Sequence, residues 1–490
     1  MATRLRLAPI LPQLRANNMA KINSGMMKRY YISRYLNIIS LDDDKTSLLF
    51  NGVNGCLDEV PKELGDILSS QEQSLIGRLS PANLDSLAKR GHITALSPDI
   101  ELERFKEFVA GLYNQQSKQS STGGIILLAS YDCNLACKYC YQQKHRPANS
   151  GTIMSLQLVD DVFNKHLPAL LPGRFKPCLS LYGGEPFLPS TEAVIRRAIG
   201  HAKNQSDMAV VAVTNGTMVD AMPDIFGPGP GKVNKVQISL DGTRHLHDKS
   251  RISASGKPTF DKILSNIQLL LRQDTHVDIR LNVDRHKIES LPQLLEELRS
   301  KTIVGNKLVT VYAYPLHGSI ANVEAEDFIS LGDVSRKMRE LGIDMECPSS
   351  LRTTDMQRLF TLEKGIALTR SAYCMQTFQH YLVVDPFANI YACSEEAGYP
   401  EYRVGHINDT GVEFFPLRDV YKTRHLANLP ECLACSVALV CGGQCGMNCR
   451  AKTGNLFKPY CDDVKSVILA GLKLAYKQRL VKKAHTQNTV

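Results

Sequence analysis

Three cysteines stand close together in the first third of the chain, in the segment Cys133-Asn-Leu-Ala-Cys137-Lys-Tyr-Cys140. Thiolates with the spacing CxxxCxxC can hold three irons of a [4Fe–4S] cube and leave the fourth iron without a protein ligand. An open iron can bind a small molecule and pass it an electron, so this segment is a candidate reaction centre. Structural zinc sites prefer CxxC pairs set far apart, and disulfide frameworks need an oxidising compartment, so both alternatives fit this spacing poorly.

A second group of cysteines lies towards the C-terminus and contains a single CxxC pair. Its members are Cys374, Cys393, Cys432, Cys435, Cys441, Cys445 and Cys461. A zinc ribbon would use two CxxC pairs, so this segment is a poor match to that site. The chain has 14 cysteines and no convincing signal peptide, which together predict a cytoplasmic protein that uses thiols to bind metal.

Polar and glycine-rich turns follow the predicted strands that come after the first cysteine group. These turns are Gly183-Gly184-Glu185-Pro186, Thr214-Asn215-Gly216 and Ser239-Leu240-Asp241-Gly242, and Arg251 follows the last of them. Each turn alone is a weak signal. The carboxyl ends of parallel strands share one edge of a sheet, however, and α/β folds keep their chemistry there. We therefore expect these turns and the three cysteines to line one site.

The elements that must position this site alternate regularly between residues 123 and 317. Strands are predicted at 124–130, 178–183, 208–214, 235–240, 277–283 and 308–314, and the clearest helices at 155–168, 190–204, 259–272 and 287–300. Six strands joined by crossover helices predict an α/β fold with a parallel sheet, curled as a partial (β/α)6 TIM-like barrel.

The flanking segments predict a small α+β domain before the barrel and a cysteine-rich iron–sulfur domain after it. The predicted boundaries are a disordered tail at 1–27, the N-terminal domain at 28–118, a helical connector at 318–372, the cysteine-rich domain at 374–461 and a C-terminal helix with a polar tail at 462–490. The N-terminal domain contains a predicted β-hairpin, Tyr35–Leu41 with Thr46–Phe50, and helices near Pro61–Leu68 and Pro98–Tyr113. Residues Gln115–Thr122, rich in Gln and Ser, are predicted to form a linker.

Composition excludes few functions. Hydrophobic residues make up 43% and charged residues 22%, as in ordinary globular proteins. The net charge is +9, and much of the basic excess precedes Asp42, the first acidic residue. A disordered tail, a start codon assigned too early (Met19, Met26 and Met27 are alternatives) or a transit peptide would explain it. Nothing else in the sequence supports nucleic-acid binding, and no run of about 18 apolar residues predicts a membrane span.

The motifs from 123 to 317 together resemble those of the radical S-adenosylmethionine (SAM) enzymes. The resemblance is carried by CxxxCxxC with Tyr139 before the last cysteine, and by GGEP, TNG and SLDG at successive strand ends. It implies that Cys133, Cys137 and Cys140 hold a [4Fe–4S] cluster, and that the amino and carboxyl groups of SAM bind the open iron. One-electron cleavage of SAM would release a 5′-deoxyadenosyl radical, which takes a hydrogen atom from substrate.

The same resemblance implies roles for the strand-end residues. Gly183, Gly184, Glu185 and Pro186 would meet the amino group of SAM, Ser239 its ribose or carboxylate, and Tyr139 the cofactor beside the cluster. Arg251 would pair with a carboxylate, and the alternative is an ion pair with Asp248 at the surface.

The C-terminal cysteines resemble the SPASM extension of radical SAM enzymes, which houses auxiliary [4Fe–4S] clusters. By that resemblance Cys432, Cys435, Cys441 and Cys461 form one cluster, while Cys374, Cys393 and Cys445 serve another. Zinc or a single cluster is the alternative. The fourth ligand of the second cluster is open between His380, Cys449 and a substrate side chain. Ala388 stands where the family usually has a glycine, which puts the local turn in doubt.

The SPASM group mostly modifies peptides and proteins, so the resemblance implies a maturase that cross-links or epimerises a precursor peptide. The N-terminal domain would then grip a leader peptide by strand addition to its hairpin edge, or it is a structural cap on the barrel. A flavodoxin or ferredoxin-type protein is the expected electron donor.

Two other functions remain as alternatives. Sulfatase maturases, which make formylglycine, resemble this chain but carry an acidic base directly after the second SPASM cysteine, where this chain has Ser394 followed by Glu395 and Glu396. Glu395 is nevertheless a candidate proton acceptor. An iron–sulfur electron carrier or regulator is the non-enzymatic alternative, although a carrier would not need the GGEP turn beside its cluster.

Overall fold

The computed structural model describes residues 29–41, 44–70, 72–119, 122–144, 146–172, 176–205, 208–316, 329–343 and 370–487. The tail predicted at 1–27 lies outside the described residues. So do most of the connector predicted at 318–372 and residues 42–43 of the hairpin turn.

Three sheets make up the β-structure of the described residues. The strands are β1 Tyr31–Ile32, β2 Leu36–Ser40, β3 Thr46–Asn51, β4 Leu57–Pro61, β5 Ile93–Thr94, β6 Thr122–Leu128, β7 Lys176–Tyr182, β8 Ala209–Thr214, β9 Val233–Leu240, β10 His276–Val283, β11 Val309–Pro315, β12 Tyr381–Val384, β13 Asn389–Tyr391, β14 Arg403–Asn408 and β15 Gly411–Phe414. The largest sheet has ten strands in the order β11-β10-β9-β8-β7-β6-β12-β13-β14-β15.

Strands β6 to β11 are the six predicted strands, and each pairs in parallel with its neighbour. Helices lie between them at Leu156–Asp161, Glu192–Asn204, Phe260–Arg272 and Leu291–Ser300. The helix Phe260–Arg272 shows why they form: Phe260, Ile263, Leu264, Ile267 and Leu270 are buried at helical spacing and face the sheet's core cluster. The predicted α/β class with a large, mostly parallel sheet is confirmed.

The cysteine-rich segment continues this sheet. Strand β12 pairs in parallel with β6, and β13, β14 and β15 follow as antiparallel neighbours. The sequence pattern did not predict this extension, because the run Tyr381–Val384 has only four residues. Without β12 the edge of β6 would be unpaired, and an unpaired edge is a site for unwanted association.

The N-terminal hairpin is confirmed as β2 and β3, with β4 as a third antiparallel strand. Helices follow at Lys62–Ser69, Gln73–Ile76, Pro81–Lys89 and Pro98–Gln119. The linker predicted at Gln115–Thr122 is wrong over most of its length, since the last helix runs to Gln119. The reason is tertiary packing: the Tyr113 ring stacks on His425, with centroids 4.0 Å apart, and the Tyr113 hydroxyl donates a 2.7 Å hydrogen bond to the Lys422 carbonyl.

The N-terminal unit docks on the C-terminal cysteine segment. The Tyr35 hydroxyl donates to the Leu433 carbonyl at 2.9 Å, and the Ser436 hydroxyl donates to the Asn37 side chain at 2.6 Å. Leu48 and Phe50 of β3 share a buried cluster with residues of the C-terminal region, including Val437. The N-terminal unit and the C-terminal cysteine segment are therefore packed together.

The remaining helices lie mostly in the C-terminal region. They are Arg146–Asn149, Leu167–Leu170, Arg244–Ser250, Leu331–Glu340, Leu417–Lys422, Pro430–Leu433, Ala438–Cys441, Gly446–Thr453 and Val464–Gln487. The last one matches the terminal helix predicted from residue 462. Within the described part of the chain, no helix combines the length and apolar character needed to cross a membrane.

Candidate active site

A cavity of about 190 Å³ lies at the carboxyl ends of the parallel strands. Its walls include Cys133, Tyr139, Cys137, Cys140, Gly183, Gly184, Asn215, Ser239, Arg251, Arg280, Asn282 and Glu395. The structure thus brings the three predicted cysteines together with the turns after β7, β8 and β9. It also adds an acid from the C-terminal segment, Glu395, to the same space.

The loop that carries the three cysteines is held by backbone and amide hydrogen bonds. The Ala136 amide donates to the Ile252 carbonyl at 2.9 Å, and the Ala254 amide donates to the Asn134 carbonyl at 2.8 Å. The Asn215 side chain donates to the Asn134 side-chain oxygen at 2.8 Å. The turn after β8 therefore fixes the cysteine loop directly, which explains why its polar residues stand at this strand end.

Donors also face the first thiol. The Leu135 amide lies 3.4 Å from the Cys133 sulfur, and the Asn215 side-chain nitrogen lies 3.7 Å from it. Such donors favour a thiolate, which is the form that binds metal. Burial raises the pKa of Cys137 to about 11, so metal binding at this thiol must release a proton.

Gly183 and Gly184 are required by the backbone that leads into the cysteine loop. The Gly184 amide donates to the Ser130 carbonyl at 2.9 Å, and the Glu185 amide donates to the Asp132 carbonyl at 2.8 Å. A Cβ atom at Gly184 would overlap the Asp132 and Tyr131 carbonyls. The glycines therefore permit close packing between two strand ends, besides exposing backbone to the cavity.

Glu185 does not present its carboxylate to the cavity. One oxygen accepts hydrogen bonds from the Thr214 hydroxyl at 2.6 Å and the Phe187 amide at 3.1 Å, while the other accepts from the Asn215 amide at 2.7 Å. The side chain is 1% exposed, and burial raises its pKa. These contacts make the carboxylate a brace between the turns after β7 and β8, where the sequence suggested that an acid receives an amino group.

Arg251 lines the cavity and does not pair with Asp248. The Arg251 guanidinium donates to the Tyr139 hydroxyl at 2.7 Å and is 7% exposed. Its Nε atom has no hydrogen-bond partner among the described residues. Asp248 instead accepts from the Thr259 and Phe260 amides at 2.8 and 2.9 Å, at the start of the helix Phe260–Arg272. The alternative of a surface pair is wrong.

Polar residues that support Tyr139, not predicted from the sequence motifs, lie on and after β10. The Asn282 side chain lies 3.4 Å from the Tyr139 hydroxyl and donates to Asp241 at 3.1 Å. The Lys287 ammonium lies 5.5 Å from the centre of the Tyr139 ring. Arg280 and Asn282 are two residues apart on a strand, so both face the same side, and that alternation was the available signal.

The two adjacent acids after Cys393 have different surroundings. Glu395 lines the cavity, next to the hydrogen-bonded hydroxyls of Tyr141 and Tyr182, which lie 2.6 Å apart. Glu396 is fully buried and contacts the Arg450 guanidinium and the Tyr421 hydroxyl. Only Glu395 is therefore placed to meet a ligand.

The C-terminal cysteines fall into two groups, according to which thiols raise the pKa of one another. Burial, followed by the thiols of Cys441, Cys461 and Cys435, raises the pKa of Cys432. Burial raises the pKa of Cys445 to about 12, with further contributions from Glu395 and Cys374. Burial raises the pKa of Cys393 as well, and smaller contributions come from the two neighbouring acids and then from Cys445 and Cys374. This grouping has the same membership as the two sets implied by the sequence.

The two residues considered for the open ligand position have other contacts. The Cys449 sulfur accepts hydrogen bonds from the Arg424 guanidinium at 3.2 Å and the Tyr460 amide at 3.3 Å. His380 stacks on Phe378, with ring centres 6.2 Å apart. In the described part of the chain, no three His, Cys, Asp or Glu side chains are close enough together to hold a single metal ion. A cubane cluster uses a different iron for each cysteine, so it does not need such convergence.

Comparison with known proteins places this geometry in context. The sequence profile described as the Radical SAM superfamily matches residues 127–298. A Cysteine-type anaerobic sulfatase-maturating enzyme from Clostridium novyi is 30% identical over 171 residues, covering 33% of this chain and 44% of that protein. This chain thus spans less than half the length of that relative.

Two further proteins match over more of the chain. Radical SAM cyclopropyl synthase TigE from Paramaledivibacter caminithermalis is 21% identical over 468 residues, which is 89% of this chain and 94% of that protein. Among solved structures, native anSMEcpe with bound AdoMet and Cp18Cys peptide has a TM-score of 0.51 and 18% identity, covering 75% of this chain and 100% of that one. The structural match shows a shared fold.

Proposed function

This chain carries a radical SAM domain, and we propose that it is a peptide-modifying maturase whose cavity holds an iron–sulfur cluster, SAM and a substrate side chain. The observation that carries the proposal is the single cavity shared by three loop cysteines, the glycine turn, Arg251 and Glu395. An electron carrier would not need a cavity of this kind beside its cluster.

The residues present fit the cofactors. Cys133, Cys137 and Cys140 would ligate three irons, since all three line the cavity and donors already face the first thiol. The buried Nε atom of Arg251, which has no acceptor among the described residues, suits the carboxylate of SAM. When bound, the cluster and SAM supply a 5′-deoxyadenosyl radical that removes a hydrogen atom from substrate.

The protein's own groups position the reactants. Ser239 and the backbone of Gly183 and Gly184 would orient SAM, and the Tyr139 hydroxyl is held by Arg251 before any ligand arrives. Pro186 and Glu185 would act indirectly, by fixing the turn. Glu395 would take up a proton that the substrate releases, because its side chain lines the cavity wall.

The C-terminal segment would hold the auxiliary clusters. Cys432, Cys435, Cys441 and Cys461 would bind one cluster, and Cys374, Cys393 and Cys445 would bind the other. Cys393 and Glu395 lie on the same short loop after β13, so an auxiliary cluster would adjoin the substrate cavity. An electron released by the substrate would then have a nearby acceptor.

A peptide substrate is supported by the extent of one alignment. The match to TigE includes most of the N-terminal unit, whereas the match to the Clostridium novyi enzyme covers a third of this chain. The sheet β2-β3-β4 has edge strands at β2 and β4, to which a leader peptide could add. Sulfatase maturation is the second candidate, favoured by the 30% identity to the Clostridium novyi enzyme.

The cofactor assignment is tested by anaerobic reconstitution. Three cubes predict about twelve irons per chain, and dithionite with SAM should yield 5′-deoxyadenosine. Cys133→Ala should abolish this product, whereas Cys178→Ala, a cysteine of β7 outside both groups, should retain it. Protein that binds only zinc, or that binds SAM without ever cleaving it, would refute the proposal.

The substrate class is tested by two peptides. One is the product of any short reading frame beside the gene, and the other is a sulfatase-derived peptide with a central cysteine. Peptide maturation predicts loss of hydrogen or deuterium incorporation in the first peptide only. Formylglycine in the second peptide would favour sulfatase maturation over peptide maturation.

A further inference from the structure

The cavity contains a second guanidinium group that the cofactor assignment does not use. Arg280 of β10 lines the cavity, and its guanidinium carbon lies 4.0 Å from the centre of the Tyr314 ring. Its Nε atom is buried without a hydrogen-bond partner, and among the described residues no carboxylate pairs with it. Arg251, by contrast, is already bonded to Tyr139.

A partly buried guanidinium loses hydration free energy, and a bound anion offsets that loss. Arginine keeps its charge at all ordinary pH values, so it cannot relieve the cost by losing a proton. The stacked tyrosine stabilises the cation from one face, and the buried Nε–H at the guanidinium edge has no acceptor among the described residues. A carboxylate can accept two parallel hydrogen bonds from that edge and neutralise the charge.

The two arginines have different neighbours in the cavity. The Arg251 guanidinium donates to the hydroxyl of Tyr139, the residue before Cys140, so it lies beside the cysteine loop. The Arg280 guanidinium stacks instead on the ring of Tyr314 in the neighbouring strand β11. Arg280 and Glu395 both influence the pKa of Tyr182 and of Tyr314, so both lie near these two rings.

We propose that Arg280 binds a carboxylate of the substrate, so that the residue modified by this enzyme lies beside an acidic group. The inference rests on the proposed function and adds a substrate class to it. The carboxylate belongs to an aspartate or glutamate side chain, or to the C-terminus of the peptide. Glu395 carries the same charge as that carboxylate and repels it, so Arg280 is the group that binds it.

Four capped probes distinguish the two sources of the carboxylate. They are N-acetyl-glutamate N-methylamide against its glutamine isostere, and N-acetyl-alanine against its amide. Binding is measured by ligand-observed NMR on the reconstituted protein with SAM. We expect a preference of about tenfold for one acidic probe over its neutral partner. The pair that shows the preference identifies the source.

Variants with opposite effects protect the test from a folding artefact. Arg280→Gln should remove the preference, and Arg280→Lys should keep part of it through the retained charge. Glu395→Gln should increase the preference several-fold, because a repelling charge is lost. Arg272→Gln, at the exposed end of the helix Phe260–Arg272, is the matched control and should leave the preference intact.

Three outcomes would overturn the inference: no preference in the wild-type protein, a preference that survives Arg280→Gln, or a loss of SAM affinity in that variant as large as the loss of probe affinity. The last result would assign Arg280 to SAM. Cleavage of SAM without a carboxylate preference would overturn this inference alone. A carboxylate preference in protein that never cleaves SAM would overturn only the proposed function.

Discussion

The Glu185 carboxylate accepts a hydrogen bond from the Asn215 backbone amide at 2.7 Å, and this bond joins the turns after β7 and β8. Asn215 in turn holds the cysteine loop through Asn134. A buried acid that does not line the cavity thus fixes the position of the candidate metal ligands.

The brace at Glu185 is tested by Glu185→Gln. An amide can replace only one of the two accepting oxygens, so one donor loses its partner, and the free energy of unfolding should fall by about 1–3 kcal/mol. SAM affinity should fall as well. Urea denaturation measures the first effect. Glu192→Gln, a half-exposed acid of the next helix, should change stability by less than about 0.5 kcal/mol.

The close approach at Gly184 predicts opposite effects for two glycine substitutions. Gly184→Ala should displace the turn after β7, because its Cβ atom meets backbone that cannot give way. We expect destabilisation of about 1–3 kcal/mol by overpacking and weaker SAM binding. Gly200→Ala, in the helix Glu192–Asn204 with open space around it, should stabilise by about 0.5–1 kcal/mol. Equal effects from both would contradict the assignment.

Glu395 and Glu396 should separate function from stability. Glu396→Gln breaks a buried ion pair with Arg450 and should lower the free energy of unfolding by about 3–5 kcal/mol. Glu395→Gln should change the free energy of unfolding by less than about 0.5 kcal/mol, but it should slow substrate turnover at least about tenfold. Thermal melts and product analysis on the same preparations would test both. Comparable melting losses in the two variants would rule out the distinction.

Ala388 is predicted to be a strained position. It adopts φ +63°, in the turn between β12 and β13, where Asp385 accepts hydrogen bonds from the Phe387 and Asn389 amides. Ala388→Gly should relieve the strain and stabilise the protein by about 0.5–1 kcal/mol. The same substitution at Ala110, inside the helix Pro98–Gln119, should destabilise by a similar amount. Chemical denaturation would show whether the signs differ.

His247 should make stability depend on pH. Burial lowers its pKa to about 3, from an ordinary value of 6.5, and its Nδ1 atom accepts the Asp241 amide at 3.2 Å. The unfolded chain therefore binds the proton more readily, so this contribution is complete above pH 6.5 and declines as the pH falls towards 3. At pH 5 the loss is about 2 kcal/mol.

The measurement for His247 compares unfolding at pH 7 and pH 5. His247→Gln should reduce the difference between the two pH values by about 2 kcal/mol relative to the wild-type protein. His276→Gln removes an exposed histidine at the start of β10 and should leave the difference unchanged. If both variants behave alike, another group is responsible.

The core fold could be predicted from the sequence because its strands and helices follow patterns of residues that are close together in the chain. The strands β6 to β11 are rich in apolar residues and lead into turns, and the helix Phe260–Arg272 repeats its buried residues with helical spacing. Strand β12 was missed because it has only four residues and one of its two partners, β6, lies more than 250 positions earlier. Local composition also misled at Gln115, where packing of Tyr113 extends the helix.

The site was readable only in part. Cysteine spacing and strand-end turns located it, because those motifs are contiguous in sequence. Arg280 and Glu395 were harder to place, since their shared cavity depends on the curvature of the whole sheet. The bracing role of Glu185 also required the structure, because the sequence does not show which way a carboxylate turns.

The contact between Tyr35 and Leu433 has a consequence for how the protein is made. The two residues are 398 positions apart, so Tyr35 lacks its hydrogen-bond partner until Leu433 has been synthesised. At about 5–20 residues per second, this interval is roughly 20–80 s on the ribosome. During that time Leu48 and Phe50 lack the cover that Val437 later provides. The nascent chain therefore exposes this apolar face of its first strands until the N-terminal unit and the C-terminal segment meet.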